Sequence, residues 1–343
     1  MTPVTCHASH PRLPSCPSAL GRHPFSVAPM LDCTDRHFRV LMRHISRGAL
    51  LYTEMVVAQA LHYGHRRRLL DFNPVERPLA LQVGGDDPLL LAEAARMAEV
   101  WGYDELNLNL GCPSERVQAG RFGACLMAEP DHVARCIEAM ATSSGLPVTV
   151  KHRLGIDHQA SYDRLLAFVD TTAAAGAQRF IIHARKAWLQ GLNPKQNRTI
   201  PPLRYDWVAR LKQERPHLSV VLNGGLATMA DCRQALTMCD GAMVGRAVYD
   251  HPLRWADVDG VFYGRAPQQL RPSAIVAAMI PYAEVHMAQG GRLWDVARHL
   301  LQLVQGVPGA RAWRRRLGEG AMVRGAGLGV LQQAAEALMG RGW

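Results

Sequence analysis

The run Glu105-Leu106-Asn107-Leu108-Asn109-Leu110 alternates amide and apolar side chains, then stops at Gly111-Cys112-Pro113. Period-two alternation is a strand signal; it sends the leucines to one face and Asn107 and Asn109 to the other. A core strand gains nothing from an amide at every second position, whereas a site uses such groups for hydrogen bonding. Cys112 hangs just beyond the strand end. A free thiol has a pKa near about 8.5, so at neutral pH it carries a proton it can give away. Cys112 is therefore a candidate general acid, suited to a reaction in which one carbon of an activated double bond receives hydride and the other a proton. The competing readings are a buried structural thiol, the expectation for Cys125, and a nucleophile, for which no clear Cys–His–Asn set is visible.

Such side chains need a scaffold that gathers strand ends. Eight short apolar runs precede residue 250: Phe25–Met30, Leu50–Met55, Leu79–Val83, Glu105–Leu110, Val148–Leu154, Phe180–Ala184, Val220–Asn223 and Ala242–Gly245. Helical stretches such as Pro88–Trp101, Pro130–Ser143 and Tyr162–Ala175 separate them. This alternation predicts an α/β fold, a (β/α)8 TIM barrel. A doubly wound sheet is the alternative, but it wants a Gly-rich turn after its first strand, where this chain has Ala28-Pro29-Met30. From Pro267 onward the stripes Ile275, Met279, Tyr282 and Leu293, Val296, Leu300, Leu303 have helical spacing. They predict a small C-terminal helical bundle, with Pro281 breaking or bending its first helix. The expected organisation is a flexible extension over 1–23, a catalytic barrel over 24–262 and a helical domain over 267–343.

In such a barrel the C-terminal strand ends build the site. Polar or special residues collect there: Pro29 and Met30, Gln82, Asn107 and Asn109, Lys151-His152-Arg153, His183-Ala184-Arg185, Asn223-Gly224-Gly225 and Gly245-Arg246. Singly each has a bland explanation, such as a satisfied amide, a solvated lysine or an Asn-Gly turn. Jointly they describe a site. Backbone amides of Gly224, Gly225, Gly245 and Arg246 suit a phosphate after the last two strands, with a charge-assisted contact from Arg246. Lys151 suits an electron-rich ring and Gln82 its polar edge. That combination fits FMN, which would carry the hydride.

The 343 residues carry a formal net charge of +10, with a pI near 9.5. The excess favours an acidic partner such as nucleic acid, although a coding bias toward Arg also explains it. Two segments sharpen the first reading. "KAWLQGLNPKQNRTIPPLRY", residues 186–205, is long for a strand-to-helix loop and interleaves Lys186, Lys195, Arg198 and Arg204 with Trp188 and Tyr205, a mixture suited to phosphates and stacked bases. "GARAWRRRL", residues 309–317, sets Arg311, Arg314 and Arg315 on one helical face with no acidic residue among them. A third cluster, His65 to Arg68, reads as solvated surface. No run of 18 apolar residues predicts a membrane span. Eight cysteines without a C-x-x-C pair read as reduced cytoplasmic thiols, and the Cys/His spacings give no metal site.

The stretches "VAPMLDCTDRHFR", "LYTEM", "LALQVGG", "ELNLNLGCPSERVQAGRFGACLM", "VKHRLGID", "IIHARKAWLQGLNPKQNR", "VVLNGG", "GAMVGRAVYDHP" and "GARAWRRRL" resemble the bacterial tRNA-dihydrouridine synthases, in particular their A subfamily, over about residues 24–343. The resemblance implies NADPH-consuming, FMN-dependent reduction of D-loop uridines 20 and 20a by a monomeric cytoplasmic enzyme. Carried over motif by motif, it implies FMN contacts at Pro29, Met30, Leu31, Gln82, Lys151, His183, Asn223, Gly224, Gly225, Gly245 and Arg246. It makes Cys112 the proton donor, and sets Asn109, Lys195, Arg198, Arg311 and Arg314 against tRNA. Leu31 and Cys33 depart from the pattern, which wants Met and Trp there; Leu31 can still offer its backbone, and Cys33 in place of a bulky ring loosens packing beside the flavin. The rival readings are a flavin barrel reducing a free pyrimidine or enone, an aldolase with Lys151 as Schiff base, and a non-catalytic RNA-binding protein. The first leaves the basic segments unexplained.

Overall fold

The computed structural model describes residues 20–266, 269–305, 309–340 and 342. Nine strands form one sheet: β1 (Phe25–Val27), β2 (Leu51–Tyr52), β3 (Val56–Val57), β4 (Leu79–Gly84), β5 (Glu105–Leu110), β6 (Val148–Arg153), β7 (Arg179–His183), β8 (Ser219–Asn223) and β9 (Gly241–Val244). Their order is β1-β9-β8-β7-β6-β5-β4-β2, every pairing is parallel, and a parallel bridge between Ser26 and Leu50 brings the two ends together. Eight strands make the (β/α)8 barrel. The ninth, β3, is a two-residue addition pairing with the C-terminal end of β4, so the expected second strand is cut short at Tyr52.

Local chemistry sets the helix ends. The helix Pro88–Trp101 starts where Asp87 accepts hydrogen bonds from the N–H groups of Leu89 and Leu90 and Pro88 supplies a pre-set φ. It ends at Gly102, whose φ of 84° suits glycine. Thr228 and Asp231 form a capping box on the helix Met229–Leu236.

Alternation along each strand separates two cores. Phe180 and Ile182 of β7 join the large sheet–helix core, while Ile181 joins a small cluster with Ala28, Leu50, Tyr52, Ala80, Val221 and Met243 inside the barrel. By the same rule Leu106, Leu108 and Leu110 pack outward, and Glu105, Asn107 and Asn109 point inward. At the N-terminal end of the barrel Glu105 forms a buried ion pair with Arg179, whose guanidinium also donates to the carbonyl of Gly21. Of the expected extension, residues 1–19 lie outside the described residues.

The C-terminal region folds as helices Pro272–Ala288, Leu293–Leu300, Ala310–Met322 and Gly329–Met339. Pro267, where the helical domain is expected to begin, lies outside the described residues. The helix Pro272–Ala288 runs through Pro281 without a break, which corrects the first of the two expected effects, breaking or bending. Ile275, Val276, Met279 and Ala283 around the proline are buried, and tertiary burial outweighs one lost helical hydrogen bond. Asp35, the N-cap of the barrel helix Arg36–Ile45, ties the two regions together. It accepts from the N–H groups of His37 and Phe38, lies 3.0 Å from His299 Nε2 and pairs with Arg298. Tyr282 Oη also meets His37 Nδ1 at 2.9 Å.

Candidate active site

The inward residues of β4, β5 and β6 form a stack of amides. Register sets Gln82 beside Asn107 and Asn107 beside Thr149, with Asn109 beside Lys151 one step higher. Gln82 Nε2 donates to Asn107 Oδ1 at 2.8 Å, and Asn109 Nδ2 donates to Gln82 Oε1 at 2.9 Å. Asn107 is fully buried and its Nδ2 donates to Thr149 Oγ1 at 2.9 Å. Asn107 therefore lies beneath the mouth rather than in it, and Asn109 is the member nearest the rim.

Cys112 sits on a rigid turn. Its N–H and that of Gly111 both donate to Asn109 Oδ1 at 3.1 Å, and its carbonyl accepts from Ala124 at 2.9 Å. A Cβ at Gly123, whose φ is 79°, would lie 2.6 Å from that carbonyl, so only glycine lets the two segments meet. Cys112 is half-buried, with Sγ 3.6 Å from Ser114 Oγ. Other thiols are removed from chemistry: burial pushes those of Cys136, Cys232 and Cys239 up to about 12.

Cations without carboxylate partners surround the mouth. Lys151, enclosed on β6, has its ammonium pKa lowered to about 7 by burial first and then by Arg153. His183, at the end of β7, is held well below its ordinary value by burial and by Arg153, Lys151, Arg185 and Arg198, and its buried Nδ1 has no hydrogen-bond partner. Arg198 lies close enough to Arg246 for the two charges to oppose each other. Gly224 and Gly225 turn after β8 with φ of 100° and 77°; a Cβ at Gly224 would lie 3.1 Å from the His183 ring. Asn223 donates to the carbonyl of Met243 at 2.8 Å, knitting β8 to β9. Gly245 and exposed Arg246 follow β9. Pro29 and Met30 lead from β1 into a turn closed by the Thr34–Met30 hydrogen bonds, where Leu31 is 70% exposed.

The loop over 186–205 is built differently from the stacking platform expected. Lys186 Nζ lies 3.9 Å from the Trp188 ring centroid, and His158 packs edge-on against that ring. Tyr205 Oη donates to the carbonyl of Gly224 at 2.6 Å. Lys186 and Trp188 thus pack on the loop and Tyr205 ties its end to the turn after β8, whereas Lys195 and Arg198 stay exposed. Its keystone is Asn197, fully buried, which accepts from the Trp188 N–H at 2.7 Å and donates to the carbonyls of Trp188 and Leu192. Arg153 then bridges, donating to the carbonyls of Gly111 at 3.2 Å and Asn197 at 2.9 Å. Arg311 and Arg314 are exposed on the separate helix Ala310–Met322. Among the described residues no cluster of three or more His, Cys, Asp or Glu is placed to hold a metal, and no helix is long and apolar enough to cross a membrane.

The model of the dihydrouridine synthase (Dus) family matches residues 26–339. This chain belongs to that family. It is 53% identical to a tRNA-dihydrouridine(20/20a) synthase of Synechocystis, over 92% of this chain and 94% of that protein. Proteins of the same name from Xanthomonas axonopodis and Escherichia coli K12 are 54% and 50% identical, the matches covering 93% and 90% of this chain and 95% and 90% of those proteins. Among solved structures, a 2-naphthoyl-CoA reductase complex superposes on 71% of this chain and 50% of its own with a TM-score of 0.55 and 10% identity, a likeness of fold alone. For this dihydrouridine synthase family member, sequence reading missed Thr149, Arg153 as a bridge, and Asn197. Thr149 shares the inward parity of Lys151, a signal that could have found it; Arg153 acts on backbone carbonyls distant in sequence, and Asn197 on carbonyls within its own irregular loop, and neither leaves a periodic pattern.

Proposed function

We propose that the chain reduces uridines 20 and 20a of the tRNA D-loop to 5,6-dihydrouridine, with FMN as bound cofactor and NADPH as reductant. The carrying observation is the conjunction at the barrel mouth of a thiol on a rigid turn, a layer of amides beneath it, and cations that no carboxylate neutralises. The residues fit FMN. The unpartnered Nδ1 of His183, the close backbone approach allowed at Gly224 and Gly225, and exposed Arg246 suit a phosphate with its sugar-like chain. Gln82 and Lys151 suit the polar edge of the ring; the turn Pro29-Met30-Leu31 and the residues Asn223 and Gly245 complete the holding set.

When bound and reduced, FMN supplies the hydride that adds to C6 of uracil. The chain's own task is the proton. Cys112 gives the proton on Sγ to C5, and the thiolate is reprotonated from solvent, so the base gains two hydrogens in all. Asn109 fixes the Cys112 turn through its Oδ1 and meets the tRNA beside the target base. Lys195 and Arg198 near the mouth and Arg311 and Arg314 on the helical region contact phosphates. The uridine must leave its stack to reach the mouth, at a cost of a few kcal/mol, about the least in a loop.

The test is incubation of the purified protein with NADPH and unmodified tRNA, followed by nuclease mapping and mass spectrometry. The expected result is a gain of two hydrogens on the D-loop fragment. Flavin-loaded protein that leaves every fragment unchanged overturns the reading in favour of a small-molecule flavin reductase.

A further inference from the structure

Beneath the mouth the hydrogen bonds run in one direction only. At the bottom, Thr149 Oγ1 donates to the carbonyl of Leu106 at 3.3 Å, a group that can only accept. The hydroxyl oxygen is thereby left to accept from Asn107 Nδ2 at 2.9 Å. Asn107 Oδ1 accepts from Gln82 Nε2 at 2.8 Å, and Gln82 Oε1 accepts from Asn109 Nδ2 at 2.9 Å. At the top, Asn109 Oδ1 accepts from the N–H groups of Gly111 and Cys112, which can only donate. The chain begins and ends on backbone of the same strand and its turn, and crosses β4 and β6 between. A flip of Gln82 or Asn109 would set donor against donor and acceptor against acceptor at its two neighbours; a flip of Asn107 would set donor against donor at Gln82 and draw the Thr149 hydroxyl away from the Leu106 carbonyl. Thr149, Asn107 and Gln82 are each at most 1% exposed, so water cannot rescue a broken link from solvent.

We infer that Asn107 and Thr149 are positioning residues: they lock the amide orientation of Gln82 and Asn109 from below and thereby hold the Cys112 turn in place for proton transfer. The inference rests on the proposed role of Cys112 as the acid. Neither residue is among the ring, phosphate or tRNA contacts. Each acts through Gln82 and Asn109, and Arg153 braces the same turn from the side through the carbonyl of Gly111.

Asn107→Leu tests it. Leucine fills the space but removes the acceptor of Gln82 Nε2 and the donor to Thr149. Asn107→Asp is the conservative control: protonated, it keeps both links, and ionised, it still accepts from Gln82 while the Thr149 hydroxyl turns to donate to it. Two readouts are taken on the full-length holoenzyme: the rate of Cys112 alkylation by iodoacetamide, followed by mass spectrometry of the peptide containing it, and kcat and KM for tRNA. In Asn107→Leu we expect kcat to fall roughly 10-fold with KM for tRNA within about 2-fold, and Cys112 alkylation to rise several-fold as the turn loosens. Asn107→Asp should stay near wild type in both. Should Asn107→Leu fail to accumulate, Thr149→Val is measured instead, with the same directions and smaller changes, and Thr149→Ser as its control. Wild-type alkylation and kcat in the apolar variant, or equal losses in the apolar variant and its control, overturn the inference. Wild-type protein that adds no hydrogen to tRNA would end the functional reading alone, because the alkylation comparison needs no turnover.

Discussion

The two ends of the barrel handle charge in opposite ways. At the N-terminal end the buried carboxylate of Glu105 meets Arg179, and the second arm of that guanidinium reaches the backbone of Gly21. That cation has its answer within the fold. At the C-terminal mouth Lys151 and His183 lie among Arg153, Arg185 and Arg198, and no carboxylate is among the groups that shift them. Arg153 is satisfied by backbone carbonyls, which orient it without neutralising it. Paired charge at one end maintains the fold; unpaired charge at the other lowers stability and keeps a place for an anion.

The sharpest way to break this contrast is to give the N-terminal end an unpaired charge. Arg179→Met leaves Glu105 buried alone and should cost about 3–5 kcal/mol of folding free energy, read from denaturant midpoints. At the mouth, removing a functional group should spare the fold and remove turnover. Cys112→Ala is expected to lower dihydrouridine formation roughly 10²- to 10³-fold, with a denaturant midpoint equal to wild type. If Cys112→Ala keeps wild-type turnover, the acid assignment fails. The exposed cations of the loop should act through salt. Lys195→Ala with Arg198→Ala should reduce the slope of log affinity for tRNA against log salt by about 2, measured by filter binding across a salt series.

The effect smallest per unit change of condition concerns pH. Lys151 has a folded pKa lowered to about 7, whereas an unfolded lysine titrates near about 10.4. Between those values the unfolded chain binds more protons than the folded one, so this group makes stability rise with pH over that window, by at most about 1.4 kcal/mol per pH unit. The cost of the buried ammonium is present in full below pH 7. Lys151→Met should flatten the rise in the flavin-free protein. An anion bound beside Lys151 would raise its pKa, so FMN binding at pH 8 should take up protons, detectable by calorimetry in buffers of different ionisation heat.

Much of the barrel is legible from local pattern. Strands β4 to β9 lie within a residue or two of the expected runs, because an apolar run bounded by Gly, Pro or Asn carries its own signal. The second strand is less so: Leu50 to Met55 contains one short barrel strand and the approach to another, a distinction made by which neighbour pairs where. In the site, Cys112, Gln82, Lys151 and the Gly224-Gly225 turn are visible by type and position at strand ends. The packing of Lys186 over the Trp188 ring is not, since the same residues would serve an open stacking surface. Of the two effects that local pattern predicts at Pro281, breaking or bending, packing overrules the break.

The sequence by itself determined the alternation that turns Asn107 and Asn109 inward, the thiol placed after them, and the family to which the chain belongs. These follow from side-chain periodicity and residue type, which are properties of neighbours in the chain. Only the tertiary structure decided that Asn107 lies below the mouth with Thr149 as its acceptor, that Arg153 joins the Cys112 turn to Asn197, and that Asp35 reaches Arg298 and His299. Each of those contacts joins residues at least 42 positions apart in the sequence. Barrel closure and helix docking bring them together, and hydrogen-bond direction then leaves one arrangement in which Asn107, Gln82 and Asn109 each meet a complementary partner at both ends of the amide.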